Sequence, residues 1–431
     1  MARDKEVLPS EREALNSSFR TWLQIGIAMA LAAPAPILRT LEVTGIYHLG
    51  WPSLAQSAIF GLGIFAAATL LVWASEVTEQ LISATLALAI LAIIAVLPEY
   101  AVDIYFAWTA PDNPENVHFA LANMTGGNRL LIGLAWPVVF FLFFYKTRKT
   151  ELVVGNQNSI ALIFLALATI VSFTIPLLGS LSLIHSGALL SIFIVYLVLS
   201  ARAPPHEAEL VGPALAIAGL PIRLRWTVVI AIFLFAAGTV FAAAEPFAEG
   251  LVHSGEGLGI DEFILVQWVA PLASESPEFI LAALLALRGR AATGMMLLIS
   301  SKVNQWTLLV ASLPIAYSVS GGSLDPLPVD ARQAEEVFLT AGQSIFAVAV
   351  LMSLTFNRRE ALLIFSLFAT QLFIPIPEVR IGFGALYCLL AVIWLIVERR
   401  DVPRLLRTAR QELDDPGGAR TAETAPLEDT G

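Results

Sequence analysis

The sequence predicts an all-α polytopic membrane protein of about twelve spans, and three observations carry that prediction. Of its 431 residues, 57% are hydrophobic and only 14% are charged, against roughly 25% charged in soluble domains. Apolar runs of the length a bilayer needs, roughly 20 residues, recur along nearly the whole chain. Basic residues gather in clusters that all fall on one side when twelve spans are counted with both termini inside.

The elements follow in order. A polar tail, residues 1–21, lacks a small-residue cleavage pattern and so does not read as a signal peptide. Trp22 to Leu38 is a first span, interrupted by Pro34 and Pro36, with a loop to residue 52. Leu54 to Ser75 is the second, and Ile82 to Trp108, carrying Pro98-Glu99, the third. After the turn Pro111-Asp112-Asn113-Pro114, His118 to Tyr145 contains the polar run Asn123 to Arg129. Ser159 to Leu178 and Leu181 to Ser200 complete a first half, residues 53–200. Residues 201–225, proline-rich at their start, read as a cytoplasmic linker. The second half, residues 226–376, holds Trp226 to Ala248, Ile260 to Leu287 with Pro277-Glu278, Thr293 to Val319, Val337 to Phe356 and Ala361 to Ile376. A last span, Val379 to Val397 within residues 377–398, precedes a charged tail, 399–431, expected to be disordered from about Gln411.

The positive clusters are Arg3, Lys5, Arg12 and Arg20; Lys146, Arg148 and Lys149; Arg202, Arg223 and Arg225; Arg288 and Arg290; Arg358 and Arg359; and Arg399 to Arg410. The count predicts a plasma (inner) membrane protein with both termini cytoplasmic. The net charge of −10 lies largely in tails and loops, and no basic stripe fits nucleic acid. The single cysteine, Cys388, excludes a disulfide framework within the chain. No phosphate-cradling glycine loop or other cofactor motif is present, which argues against an ATP-driven pump, and no nucleophile or metal-histidine motif points to an enzyme. Nothing in the sequence sets an oligomeric state.

The same count makes the two Pro-Glu spans antiparallel, with Glu99 and Glu278 at similar depth near the midplane. That is the pattern of an inverted repeat with its site at the interface between halves. Carboxylates at such depth are costly and face protein or a water-filled cavity. Their natural work is to bind a cation or carry a proton. Asp103, four residues after Glu99, and Glu275, three before Glu278, share those helix faces. Ser274 offers a hydroxyl, or bonds its own helix. Asn128 and Asn304, with Asn123 and Gln305, offer neutral amide oxygens. Gly126-Gly127 permits close helix contact. Arg129 and Lys302 are candidate internal counter-charges, either neutralising part of the site or forming structural ion pairs.

Gly259-Ile260-Asp261-Glu262 followed by Ala270-Pro271-Leu272-Ala273-Ser274-Glu275-Ser276-Pro277-Glu278 resembles the second alpha-repeat of the sodium/calcium exchanger family, within the cation/calcium antiporter superfamily. Leu97-Pro98-Glu99 and Gly126-Gly127-Asn128 resemble the first. The resemblance implies two inverted five-helix repeats, with Glu99 and Glu278 as ligands of a transported cation. The first and last spans then become an extra helix at each end. The chain departs from the family at Val96, where a serine is expected, and at Lys302, where the family has asparagine. The expected function is secondary antiport of calcium, or another cation, for sodium or protons by alternating access. The alternatives are a proton-coupled monovalent cation exchanger, or a non-transporting sensor or scaffold that keeps the fold.

Overall fold

A computed structural model describes residues 11–46, 50–79, 97–200, 210, 212–259, 261–372 and 376–414. Helices α1 (Glu11–Ala32) and α2 (Pro34–Val43) come first, split at Ala33 where Pro34 and Pro36 enter. The first predicted span runs from Arg20 to Val43 as one helical run, interrupted only at the prolines. There follow α3 (Ser53–Glu79), α4 (Leu97–Thr109), α5 (Asn116–Leu130), a π turn (Leu131–Ala135) and α6 (Trp136–Thr147). Strand β1 (Glu151–Val153), α7 (Ser159–Ser172), α8 (Thr174–Leu178), β2 (Ser180–Leu181) and α9 (Leu183–Ser200) complete this series.

After α10 (Pro213–Ala218), the order repeats. It runs α11 (Ile222–Leu258), α12 (Glu262–Leu287), α13 (Ala291–Asn304), a second π turn (Gln305–Leu309) and α14 (Val310–Gly321). Then come β3 (Leu327–Pro328), α15 (Ala331–Leu351), β4 (Thr355–Asn357) and α16 (Arg358–Leu372). Helices α17 (Pro377–Val397) and α18 (Asp401–Asp414) close the described chain.

The two series run in opposite directions through the bundle. β1 follows the third member of the first series and pairs with β4, which follows the fourth member of the second. Strands pair only at one end of a bundle. A third and a fourth crossing end together only when the two series start from opposite sides. The pairing of β2 with β3 is the same relation with the halves exchanged. α3 packs along α11, the first members of each series, and buried Trp136 and Trp306 stand at the two π turns.

Three differences from the sequence expectations have local causes. Among the described residues, eight helical runs are long and apolar enough to cross a membrane, or nine when the bent α12 is counted as one. The count of twelve is therefore not reached: residues 80–96 of the third span lie outside the described residues, α16 has only 15 residues, and the run from α13 to α14 is not among the nine. The stretch 201–225 is not linker throughout, because Pro213, Ala214 and Ile217 bury one face of α10. The C-terminal tail is helical to Asp414, past the expected boundary at Gln411, because Leu405 and Ala409 pack α18 onto the start of α7.

Candidate cation site

The site forms where α4 and α5 of the first series meet α12 and α13 of the second. Gly126 and Gly127 allow it. A Cβ on Gly126 would collide with the Gln267 carbonyl of α12, and one on Gly127 with Glu275 Oε1. Bare backbone at these positions brings α12 against α5 and lays the Glu275 carboxylate on the α5 surface. α12 carries Pro271 and Pro277 and bends by 56° between its Glu262–Glu275 and Glu278–Leu287 parts. Glu275 and Glu278 therefore flank the bend.

Three described carboxylates gather in the interior: Asp103 on α4 is fully buried, and Glu275 and Glu278 on α12 are buried almost completely. Asn123 Nδ2 donates to Asp103 Oδ1 at 2.9 Å. Among the described residues, Asp103 Oδ2, Glu275 Oε2 and Glu278 Oε2 have no hydrogen-bond partner. The charged neighbours of Glu275 are Glu278, Lys302 and Asp103. Gln305 stands beside Glu275, and Ser301 beside Glu278, short of hydrogen-bond geometry. Buried oxygens without donors are costly.

Lys302 is completely buried. Its Nζ donates to Asn128 Oδ1 at 2.6 Å and to the Asn128 carbonyl at 3.2 Å, and lies 4.5 Å from the centre of the Trp306 ring. Asn128 and Lys302 occupy the same place in the two series, each three positions before its π turn. They meet across the axis that relates the halves.

Arg129, one residue on, points elsewhere. It pairs with Glu336 of α15 at 2.5 Å, and Glu336 takes Arg380 of α17 at 3.1 Å. Its guanidinium also stacks 4.9 Å from the centre of the Trp268 ring. Of the two candidate counter-charges, Lys302 is in the carboxylate cluster and Arg129 belongs to a buried Arg–Glu–Arg triad. Glu336 and Arg380 do not stand out in the sequence. Glu336 lies one residue before a predicted span and Arg380 just inside another. Depth alone makes them look peripheral.

The remaining candidates fall as follows. Ser274 Oγ bonds the carbonyls of Ala270 and Pro271 in its own helix. Asn304 Oδ1 accepts from the Tyr100 hydroxyl at 3.3 Å, tying α13 to the start of α4. Glu99 lies in the first turn of α4, and its side chain is outside the described residues. Among the described residues no three acidic, histidine or cysteine side chains converge closely enough to hold a metal by themselves.

Comparison with known proteins gives a consistent result. The family model for sodium/calcium exchanger protein matches residues 52–202 and again residues 228–376. The chain is similar to the crystal structure of the H+/Ca2+ exchanger CAX, with 41% identity and a TM-score of 0.87 over 92% of this chain and 99% of that one. It shares its fold with the Ca2+/H+ antiporter protein YfkE, at 19% identity and a TM-score of 0.54 over 80% of this chain and 99% of the other. The comparison with curated proteins gave no match.

Proposed function

Because the chain belongs to the sodium/calcium exchanger family of membrane cation/calcium antiporters, we propose that it exchanges calcium for protons by alternating access. Glu99 and Glu278 are the paired ligands in this reading, and Asp103, Glu275, Asn128 and Asn304 line the path of the ion. Members of this family are transporters rather than enzymes, and the cations are substrates rather than cofactors. Protons are chosen over sodium as the counter-ion on the likeness to a proton-coupled exchanger.

The observation that carries the proposal is the group of three buried carboxylates, each with an unpartnered oxygen. Like charges packed in a dry interior require compensation. A divalent cation supplies it in one occupancy, and protons supply it in the other. The two substrates then exclude one another at the same oxygens, which is the requirement for antiport. Calcium takes six to eight oxygen ligands, and the amides of Asn123 and Gln305 stand within the same cluster. When protonated, Lys302 places a positive charge beside Glu275, so fewer charges need to come from solution in each cycle. That feature favours the second reading, a proton-coupled monovalent cation exchanger.

The halves of the transporter are residues 53–200 and 226–376, with 22–52 and 377–398 as added spans. In this reading both termini lie in the cytoplasm of a cell bounded by the inner or plasma membrane, with the basic ends of α6, α16 and α17 inside, as the positive clusters favour.

The test is ion flux into proteoliposomes under imposed proton, sodium and calcium gradients. A proton gradient is expected to drive calcium accumulation, and Glu278→Gln is expected to abolish it while the protein still inserts and purifies normally. Full transport by Glu278→Gln and by Glu99→Gln sinks the proposal. Transport of sodium or potassium without calcium selects the second reading. Absence of both flux and cation-dependent thermal stabilisation selects a scaffold.

A further inference from the structure

Three buried charges have no part in the exchange cycle described above. Arg129 lies on α5 and Arg380 on α17, and both pair with Glu336 of α15, which packs against each of those helices. All three side chains are buried. Stability alone does not account for them. A charge at membrane depth is costly, and a buried ion pair commonly does no better than apolar side chains of the same volume. One arginine would already neutralise Glu336.

α15 holds Arg129 by its backbone as well. Gln343, seven residues and so about two turns beyond Glu336, donates from Nε2 to the Arg129 carbonyl at 3.4 Å. The Arg129 guanidinium stacks 4.9 Å from the centre of the Trp268 ring of α12, and Trp268 in turn meets Phe368 of α16 edge-on, with ring centres 5.9 Å apart. Trp268 belongs to the leading limb of the bent helix, Glu262–Glu275. Glu275 follows it by seven residues, on the same face. This limb rests on the first half, with Gln267 against Gly126 and Glu275 against Gly127. The trailing limb, Glu278–Leu287, rests on the second half, where the Ala282 carbonyl lies against Gly294 of α13. Glu275 and Glu278 thus sit on limbs held by different halves. Their separation depends on how firmly the leading limb is fixed.

We infer that Arg129 is a positioning residue for the cation site. Gripped by Glu336 and Gln343, it holds Trp268, and with it the limb that carries Glu275. Glu336 gives Oε2 to Arg129 and Oε1 to Arg380. Arg380 therefore keeps Glu336 from turning both oxygens onto Arg129 and drawing it off the ring. By this route the added span α17 acts on the ion site without touching it. The effect on cation affinity rests on the calcium-transport reading, whereas the fixing of the limb does not.

The test pairs hydrogen–deuterium exchange of the full chain in detergent with proton-driven calcium uptake into proteoliposomes. Arg129→Lys keeps the charge of the triad but lacks the flat guanidinium face, and Trp268→Leu removes the ring. Each is expected to speed exchange several-fold in Glu262–Glu275 while Glu278–Leu287 is unchanged. Each is also expected to raise the KM for calcium several-fold with little change in maximal rate. Trp268→Phe is expected to restore both readouts, and Arg129→Lys with Trp268→Leu is expected to be no worse than either alone. Arg380→Met is expected to give the same pattern more weakly. Phe356→Leu, a core truncation in β4 against Phe140, serves as the control for lost stability and is expected to lower melting with calcium KM unchanged. Unaltered exchange over Glu262–Glu275 in both Arg129→Lys and Trp268→Leu overturns the inference. So does a rise in KM that Phe356→Leu reproduces. If the unaltered protein moves no calcium, the transport reading fails by itself, and the exchange pattern alone then upholds or overturns the role of Arg129 in fixing the limb.

Discussion

Asn128 and Lys302 hold equivalent places in the two halves, yet one brings amide oxygens and the other an ammonium, and the two side chains bond each other. The glycines and serines beside them differ in the same way. In the first half Gly126 and Gly127 let α12 lie on bare backbone. In the second half the same positions are Ser300 and Ser301, and Ser300 Oγ reaches Tyr196 at 3.1 Å. Two copies of one architecture thus carry unequal work. The first half supplies the close contact and amide donors. The second supplies two of the three described carboxylates and the buried Lys302 amine. Duplication conserves helix order, turns and strand pairing, because these depend on packing, while single side chains at the shared axis are free to diverge.

That contrast is open to direct attack, and the largest effect is expected at the buried triad. Glu336→Gln leaves Arg129 and Arg380 facing each other without compensation in the interior. A loss on the order of 3–5 kcal/mol is expected, read as a large drop in melting temperature in detergent. Arg380→Met keeps the Arg129–Glu336 pair and is expected to cost clearly less. Equal melting of Glu336→Gln and the unaltered protein would show that the triad is not formed.

Next comes the glycine contrast. Gly126→Ala drives a methyl group into the Gln267 carbonyl, with an expected cost of roughly 1–3 kcal/mol from overpacking and a matching loss of transport. Ser300→Ala, its counterpart, is expected to be near neutral by the same melting assay. If the two substitutions behave alike, the halves are not packed unequally.

Lys302→Met sharpens the charge contrast. Stability is expected to fall modestly, by roughly 1–3 kcal/mol, because the Asn128 oxygens lose their donor. The number of protons exchanged per cation, measured from reversal potentials in proteoliposomes, is expected to rise. Lys302→Arg is expected to restore the original ratio. An unchanged ratio in Lys302→Met removes Lys302 from the charge balance of the site.

The smallest effect concerns the two junctions where a strand enters the last helix of each half. At β2–α9 the Ser182 N–H donates to His185 Nδ1, and at β4–α16 the Asn357 N–H donates to Glu360 Oε2, each three residues on. Burial raises the Glu360 carboxyl to about 7. A folded pKa above the unfolded value means the protonated form favours folding. That stability is present at low pH and is lost as pH rises from about 4.5 through 7. Glu360→Gln keeps an acceptor oxygen and is expected to flatten the pH dependence of melting in that window. A pH profile identical to that of the unaltered protein would remove Glu360 as its source.

Much of this is legible along the chain. Apolar runs separated by turns and charges dictate a helical bundle, because an unpaired backbone is not tolerated in lipid. The alternation of basic clusters implies opposed halves, and strand pairing at the two ends of the bundle shows them. Glu278, Glu275 and Asp103 stand out because a carboxylate within an apolar run is too costly to keep without a charge or proton to hold. Lys302 and Arg129 stand out equally, two charges of one sign in equivalent spans, and pattern does not separate their roles. Only packing assigns Lys302 to Asn128 and Arg129 to Glu336, since a long flexible side chain can turn to either side of its helix and its partner is chosen by whichever neighbour lies there. The helical start of the C-terminal tail escapes the sequence for a related reason. Its composition is polar and charged, and two small contacts, Leu405 and Ala409, order it only because the end of α7 is within reach. Composition and period determine which segments enter the membrane and which acids are buried. Distances between helices, which no local pattern encodes, decide which of those charges meet.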